Sequence, residues 1–389
     1  MPTYADGKGV RPLIRGINAG AVRATRLLMI YTYDKLQAAW HEEIHGKHEQ
    51  ENQARYEYLR EYRLMKLKDA LIARTYEPSP LRNKQIYIPK RRVAQVPGLE
   101  DKIVQRLICK ECVYDSLTKP LIRDTYACIR GRGTADADKR LKLQLRRYWN
   151  KYKTPPYILK CDIHSYFATI DHARLGTLID RYITDADVRE IVYKFLNLTD
   201  VGLPLGLEQN QLLANLYLSE LDHMVKSKWH GEFYGRYMDD FFIISNDSVY
   251  LTWLWGEIDR YVQSIGLTLN PKTTIFYRRF DFLGFTHLST DSGKVVKRIA
   301  KTKRKTARNR CRLLANQLAD GEITMDKAEV CYRAWRQHAK EGDCRNLILA
   351  MDKKFRCELQ KHGYDMQIEP YYKNNQRKER VKIFVKNNQ

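Results

Sequence analysis

The sequence lacks any apolar run long enough for a transmembrane helix. No stretch approaches the 18 consecutive apolar residues that a spanning helix requires. The first sixteen residues, MPTYADGKGVRPLIRG, also lack the continuous apolar segment of a secretory signal peptide. We therefore expect a cytoplasmic protein without a membrane partner.

Regular cysteine spacing is also missing. The eight cysteines are scattered, and Cys109 and Cys112 form a lone C-x-x-C within a segment of helical periodicity. Because no second pair stands at zinc spacing, a structural zinc site is disfavoured, and free thiols in a reducing compartment are expected. No internal repeat is evident.

Acidic residues are few relative to basic ones. The chain has 46 Asp and Glu against 69 Lys and Arg, a formal net charge of +23. This excess suits a phosphate polyanion, because each neutralised phosphate releases condensed counterions. The 26 tyrosines and six tryptophans add flat surfaces on which unpaired bases stack. A merely well-solvated surface is the alternative, but the charge is large for that.

Hydrophobic periodicity predicts a helix-rich chain with a few strands. Helical spacing occurs in residues 20–75, 101–117, 171–182, 212–225, 253–266 and 311–362. Strands or hairpins are predicted in 84–97, 157–162, 235–246 and 279–289. This pattern is typical of an α+β fold, with helices packed on an antiparallel sheet.

The stretch GRYMDDFFIISN (235–246) places Asp239 and Asp240 beside four apolar residues. Two like charges in a poorly solvated place repel each other and lose hydration. Either the hairpin tip is solvated, as is common for Asp in turns, or the aspartates hold a cation. Asp162 ends another apolar strand, and if the strands are neighbours, three carboxylates converge on one sheet edge.

Such a cluster is tolerable around divalent metal. Carboxylate oxygens and substrate phosphates favour Mg²⁺. Two ions roughly 3.5–4 Å apart would activate an attacking hydroxyl and stabilise a leaving pyrophosphate. The metal interpretation is therefore stronger than the solvated turn.

Six sequence blocks resemble, in order, those of reverse transcriptases. They are the fingers block (88–105), the first and second palm motifs (159–172 and 202–218), the Tyr-Met-Asp-Asp hairpin (237–240), the following block (265–274) and the primer grip (282–285). The match covers roughly residues 70–310. The resemblance implies an RNA-directed DNA polymerase with a right-hand fold of fingers, palm and thumb and an antiparallel palm sheet.

Three features are similar to the enzymes of bacterial diversity-generating retroelements and related antiphage defence-associated reverse transcriptases. They are residues 124–134, the Leu-Gly pair at 205–206 and residues 333–347. The resemblance implies a bacterial enzyme without an RNase H or endonuclease domain. We expect a helical N-terminal extension (1–80), fingers and palm (81–290), and a helical basic thumb with the C-terminal tail (291–389).

The resemblance also assigns roles to single residues. Asp162 and Asp239 would be the main metal ligands, with Asp240 and the backbone carbonyl of Ile163 assisting. Phe167 stands at the steric-gate position, where a bulky ring excludes a 2′-hydroxyl; plain core packing is the compatible alternative.

Cationic residues match positions that grip the incoming nucleotide. Lys90, Arg92 and Arg130 would hold the triphosphate, and Lys272 would neutralise the departing pyrophosphate. Each alone is more often a solvated surface residue.

The second palm motif departs from many reverse transcriptases. Leu205 stands where many carry Gln, and because it cannot hydrogen-bond to the nucleotide, we hypothesise lower or unusual fidelity. Gln211 matches the diversity-generating clade in the nucleotide site, but Asn210 replaces its usual serine. This departure shifts weight toward a defence-associated relative.

Residues 294–310 carry nine Lys and Arg and no acid. We expect them to form the first thumb helix, laid along nucleic acid, since unscreened like charges repel. The expected nucleic-acid ligands are Lys297, Arg298, Lys301, Lys303, Arg304 and Lys305.

The leading hypothesis is thus RNA-templated DNA synthesis from dNTPs. The expected partners are a dedicated non-coding RNA as template or primer, the DNA product and, as a further candidate, an accessory protein encoded nearby. A maturase-like RNA-binding protein with dispensable polymerase activity is the alternative, but three clustered carboxylates argue against it. An RNA-making polymerase is a third possibility, disfavoured by Phe167.

Overall fold

The computed structural model describes residues 26–45, 56–86, 92–204, 206–373 and 376–385. The chain folds as two compact units built from interleaved segments. Of the described residues, the first unit takes those within 1–122, 165–220 and 265–267, and the second takes those within 123–164, 221–264 and 268–389. These units cross the predicted bounds at 80 and 290, so that domain division stays a prediction.

Helices and strands are interspersed along the chain. The helices are α1 (Tyr33–Ile44), α2 (Arg60–Ile72), α3 (Leu99–Ile108), α4 (Tyr114–Thr118), α5 (Thr134–Tyr152), α6 (Tyr166–Thr169), α7 (His172–Tyr182), α8 (Ala186–Leu196), α9 (Glu208–Tyr217), α10 (Ser219–His223), α11 (Ser248–Ser264), α12 (Lys301–Ala319), α13 (Met325–Lys340) and α14 (Arg345–Gln360). The strands are β1 (Arg82–Ile86), β2 (Arg92–Val96), β3 (Tyr157–Cys161), β4 (Phe233–Tyr237), β5 (Asp240–Ser245), β6 (Thr274–Tyr277), β7 (Arg279–Phe282), β8 (Phe285–Ser289), β9 (Val295–Ile299), β10 (Tyr364–Lys373) and β11 (Gln376–Val385). The predicted α+β class with antiparallel sheets is confirmed.

The described part of the first unit is mainly helical, and its strands β1 and β2 pair antiparallel. Asp171 caps α7 by accepting a hydrogen bond from the Arg174 N–H at 2.7 Å. This satisfies one of the N–H groups that have no partner within the helix. No helix in the described ranges has both the length and the hydropathy to cross a membrane.

The second unit contains the predicted palm sheet. Its four strands lie in the order β4-β5-β3-β6, and all neighbours are antiparallel. Since side chains alternate across a strand, one face carries Ile158, Phe242 and Ile244, which pack against residues of α5 and against Phe280 and Phe282 of β7. Helix α11 packs on β3 and β5.

A three-stranded sheet, β7-β8-β9, follows in the same unit. The two-residue turn between β7 and β8 has φ of 50° at Leu283 and 83° at Gly284, the backbone signature of a type I′ hairpin. The predicted hairpin near Gly284 is therefore confirmed.

The predicted first thumb helix begins later than expected. Residues Val295–Ile299 form strand β9, which pairs with β8, and α12 begins at Lys301. The expectation that the whole of 294–310 is helical was wrong, because its apolar residues at the start complete a sheet instead of a helix face.

The C-terminal tail contains structure that its polar composition hides. Strands β10 and β11 form an antiparallel hairpin, so the region after residue 291 is not wholly helical. Its Met366, Val381 and Ile383 are buried in one core with side chains of α12, α13 and α14.

The strand that leads into the Tyr-Met-Asp-Asp turn is held by a fully buried ion pair. Arg236 Nε and Nη2 donate to the two carboxylate oxygens of Asp222, at 2.7 and 2.6 Å, and neither side chain is exposed. Tyr234 and Thr125 also donate to this carboxylate, at 2.5 and 2.9 Å. The third donor of Arg236, Nη1, reaches the Met238 carbonyl at 2.9 Å. The buried charges of Arg236 and Asp222 are thus hydrogen-bonded, and Arg236 also holds the turn through the Met238 carbonyl.

Replacing Arg236 by Met should destabilise the protein by roughly 3–5 kcal/mol, because the Asp222 carboxylate is then buried without its cation. Chemical denaturation of the full chain measures this. The matched double change Arg236→Met with Asp222→Leu should recover most of the loss. A single change that costs less than about 1 kcal/mol would contradict the proposed role of the pair.

Candidate active site

The two predicted acidic segments lie at one edge of the palm sheet. Strand β3 pairs with β5 in a register that ends at Cys161 and Phe241. Extending this register by one residue places Asp162 opposite Asp240, and such antiparallel neighbours have Cα atoms roughly 4.5–5.5 Å apart. Asp239 belongs to the two-residue turn between β4 and β5. The strand pairing therefore places the backbone of all three aspartates at the same end of β3 and β5.

This turn carries backbone strain. Met238 has a φ of 59°, in the left-handed region that residues other than glycine rarely adopt. Strain of this kind costs about 1–3 kcal/mol and persists where surrounding contacts enforce it. Here the hydrogen bond from Arg236 to the Met238 carbonyl supplies such a contact.

The electrostatics show that the cluster is crowded. Burial raises the pKa of Asp239, and the negative charge of Asp162 raises it further, while Lys160 and Arg236 act in the opposite direction. The ionised carboxylate of Asp239 is thus less stable here than a carboxylate exposed to water. A bound divalent ion would remove this penalty.

Lys160 is the cation that the sequence analysis missed. Its ammonium forms an ion pair with Asp240 and lies 5.5 Å from the centre of the Phe282 ring. Burial lowers the pKa of Lys160 to about 8, although Asp162 and Asp239 attract its charge and raise the pKa. The protein thus supplies one positive charge to the acidic cluster by itself.

Asn270 orients the Asp162 carboxylate. Its side-chain amide donates to Asp162 Oδ2 at 2.9 Å, and its backbone N–H donates to the Asp162 carbonyl at 2.7 Å. Just beyond Asp162, Ile163 bridges to Leu269. The block after the hairpin therefore fixes both the backbone and the side chain of the first aspartate.

The donor set suits a hard divalent cation, because carboxylate oxygens are the ligands that Mg²⁺ and Mn²⁺ prefer. Within the described part of the chain, however, no three Asp, Glu, His or Cys side chains already converge as a metal cluster. Asp240 is turned to Lys160. For all three aspartates to hold one ion, Asp240 would have to leave Lys160 and join Asp162 and Asp239.

The predicted nucleotide-binding residues are divided between the units. Arg130 and Lys272 are exposed in the second unit, while Phe167 is half-buried and Gln211 exposed in the first. Lys272 donates its backbone N–H to the Asn270 side chain at 3.0 Å.

Three further residues fall partly or wholly outside the described residues. Lys90 and Leu205 lie outside them, and of Arg92 only the backbone, in β2, is described. The nucleotide-binding roles, and the metal-ligand role of the Ile163 carbonyl, stay predictions.

One of the six predicted nucleic-acid ligands is wrongly placed. Lys297 is 3% exposed, forms an ion pair with Asp138 at 3.1 Å and lies 3.9 Å from the centre of the Phe285 ring. Because its charge is balanced by Asp138 inside the fold, Lys297 does not belong among the nucleic-acid ligands. Arg298, Lys301, Lys303 and Lys305 are exposed and Arg304 is half-buried.

The residues missed from sequence differ in how visible they were. Lys160 stands two positions before Asp162, and strand alternation alone places both on one face. Asn270 gave no local signal, because its bond to Asp162 spans 108 positions of the chain.

Replacing Lys160 by Met should lower the free energy of unfolding in a chelating buffer by roughly 1–3 kcal/mol, since the carboxylates lose their internal cation. Added divalent ion should recover much of this loss. Thermal denaturation with chelator and with Mg²⁺ measures both effects. Lys151→Met, which removes an exposed lysine paired with Glu232, is the control and should show no ion-dependent difference. Equal losses with and without Mg²⁺ would contradict the role of Lys160.

Comparison with known proteins identifies the family. The model of the reverse transcriptase (RNA-dependent DNA polymerase) family matches residues 82–287, more than half of the chain. This range contains all three aspartates, Lys160, Arg236 and Asn270.

Individual relatives share parts of the chain. Protein YkfC of Escherichia coli K12 is 30% identical over 185 residues, which cover 42% of this chain and 45% of that protein. The group II intron-encoded protein LtrA of Lactococcus lactis subsp. cremoris is 28% identical over 180 residues, 42% of this chain and 28% of that protein. The match thus spans less than half the length of either relative.

Among solved structures, telomerase from Candida albicans with the TWJ fragment of telomeric RNA overlaps 74% of this chain and 59% of that chain, at 12% identity and a TM-score of 0.45. At this sequence identity and TM-score the similarity carries no information about activity. The match of the family model over residues 82–287 is what decides the question: the chain belongs to the reverse transcriptase (RNA-dependent DNA polymerase) family.

Proposed function

We propose that this protein is an RNA-directed DNA polymerase, a nucleotidyltransferase that copies RNA into DNA. The observation that carries the proposal is the meeting of Asp162 with the Asp239–Asp240 turn at one edge of the palm sheet, in a chain of the reverse transcriptase family. In the reaction the primer 3′-hydroxyl gives its proton to solvent, its oxygen bonds to the α-phosphorus of a dNTP, and pyrophosphate leaves with the electrons of the broken P–O bond.

The protein's contribution is mainly positioning. Asn270 orients Asp162, Arg236 holds the strained turn that presents Asp239, and Lys160 balances Asp240. Divalent ions are general in this family, and we propose Mg²⁺ held by Asp162 and Asp239, with Asp240 and the Ile163 carbonyl assisting. When bound, such ions lower the pKa of the attacking hydroxyl and neutralise charge on the pyrophosphate.

The remaining assignments follow the family pattern. Lys90, Arg92 and Arg130 grip the triphosphate, and Lys272 meets the pyrophosphate. Phe167 excludes the 2′-hydroxyl and so selects dNTPs. Leu205, in place of a hydrogen-bonding Gln, loosens the nucleotide site, and Gln211 completes it.

The biological role that we propose is antiphage defence or a diversity-generating type of retroelement in the bacterial cytoplasm. Residues 124–134 and 333–347 and the Leu-Gly pair at 205–206 support it. A dedicated non-coding RNA would serve as template or primer, and an accessory protein encoded nearby is a further proposed partner.

A maturase-like RNA-binding role is the second candidate. It is favoured by the 28% identity to a group II intron-encoded protein over 180 residues. The buried charges of the acidic cluster favour the polymerase, because RNA binding alone does not require crowded carboxylates.

A primer-extension assay with the full chain, Mg²⁺ and an RNA template tests the proposal, with dNTPs and rNTPs compared. Extension with dNTPs only is expected. The double variant Asp239→Asn, Asp240→Asn should lose activity by roughly a thousandfold or more, since bound ions supply several kcal/mol of charge stabilisation.

The control Asp320→Asn, Asp326→Asn removes two exposed carboxylates from the same unit and should leave extension unchanged. A double variant that still extends primer would refute the site. Tight RNA binding by the unaltered chain without any extension would favour the maturase-like role, and extension with rNTPs would favour an RNA polymerase.

A further inference from the structure

A cavity of about 620 Å³ lies in the second unit, beside strand β9 and the starts of α12 and α14. Three arginines line it, Arg298, Arg304 and Arg345. The volume falls in the range of pockets that enclose a ligand or part of a larger one. We refer to this cavity as the arginine pocket.

The arginine pocket retains unbalanced positive charge. Its one acidic residue, Asp343, is engaged with β9, because its carboxylate accepts the Lys297 N–H at 2.9 Å and its own N–H donates to the Lys297 carbonyl at 2.6 Å. Among the residues that the structure describes, none of the three arginines forms an ion pair with a carboxylate.

The guanidinium of Arg304 is held in place. Its Nε donates to the Ile299 carbonyl at 3.0 Å, which fixes the planar group against the end of β9. Arg298 and Arg345 are exposed, so the pocket is open to solvent. One arginine held by a hydrogen bond and two exposed arginines in the same lining suit an anion with several oxygens.

The start of α14 adds to the positive potential. Arg345, Asn346 and Leu347, which line the pocket, form the first turn of this helix of 16 residues. The N-cap residue Cys344 does not cap the helix with its side chain; its sulfur accepts the Ile299 N–H at 3.3 Å instead. First-turn N–H groups lack partners within their helix and favour anions.

We propose that the arginine pocket binds consecutive phosphates of a nucleic-acid backbone. The proposal rests on the proposed function, which supplies the template and product strands. Arginine matches phosphate oxygens with two parallel hydrogen bonds, and the open pocket lets a strand continue past it. Arg345 is thereby added to the predicted nucleic-acid ligands of residues 294–310, from which the buried Lys297 is removed.

The test is the affinity of the full chain for a labelled RNA–DNA primer–template duplex without metal or dNTP. The double variant Arg298→Gln, Arg345→Gln should bind about tenfold more weakly, since it loses charged hydrogen bonds to phosphate that salt partly screens. The logarithm of the association constant decreases with the logarithm of the salt concentration. In the variant the magnitude of this slope should be smaller by roughly 1–2, about one for each phosphate that the variant no longer neutralises.

A matched control separates local binding from net charge. Lys327→Gln with Arg333→Gln removes two exposed cations from α13, outside the pocket lining. It should change the affinity less than twofold. Equal losses in the two double variants would overturn the proposal, because only long-range attraction would then be involved.

Backbone and free phosphate can be distinguished. Single neutral methylphosphonates, scanned along the duplex, should weaken binding to the unaltered chain at one or two positions and have no effect there on the Arg298→Gln, Arg345→Gln variant. If this variant instead loses binding of labelled dATP and keeps duplex affinity, the pocket is a nucleotide site and the proposal is wrong. A chain that shows the predicted binding but never extends primer would keep the pocket and refute the polymerase.

Discussion

Repulsion among carboxylates at one edge of the palm sheet is the constraint on which the proposed active site depends. Asp162 follows the last residue of β3, close to Asp239 and Asp240 at the tip of the β4–β5 hairpin, and burial together with the charge of Asp162 raises the pKa of Asp239. A fold tolerates such crowding only where cations are close. In this chain Lys160 forms an ion pair with Asp240, and Arg236 holds the turn by a hydrogen bond to the Met238 carbonyl.

Much of this arrangement could be predicted from the sequence, and the limits have physical reasons. The hairpin at 235–246 and the strand before Asp162 follow from local apolar runs bounded by turn residues, so both were found. Strand β9 was mistaken for helix, because a short apolar run beside many cations fits either period. The pairing of Arg236 with Asp222 depends on tertiary packing that no local pattern reports.

Lys297 and Arg298 show how adjacent cations serve different purposes. On strand β9 they point to opposite faces; Lys297 is buried against Asp138 and Phe285, whereas Arg298 lines the open arginine pocket. A run of basic residues is therefore not one continuous nucleic-acid surface. Strand β9 directs Lys297 into the core and leaves Arg298 available to phosphate.

The measurement that tests the central claim most directly is the melting temperature of Asp239→Asn beside the unaltered chain, with chelator and with Mg²⁺. A carboxyl group whose pKa is raised in the folded state destabilises the fold when it is ionised, so the neutral Asn variant should melt at a higher temperature in chelator. It should also lose most of the rise that Mg²⁺ gives the unaltered chain. An Asn variant that melts lower in chelator and keeps the full Mg²⁺-induced rise would contradict the account.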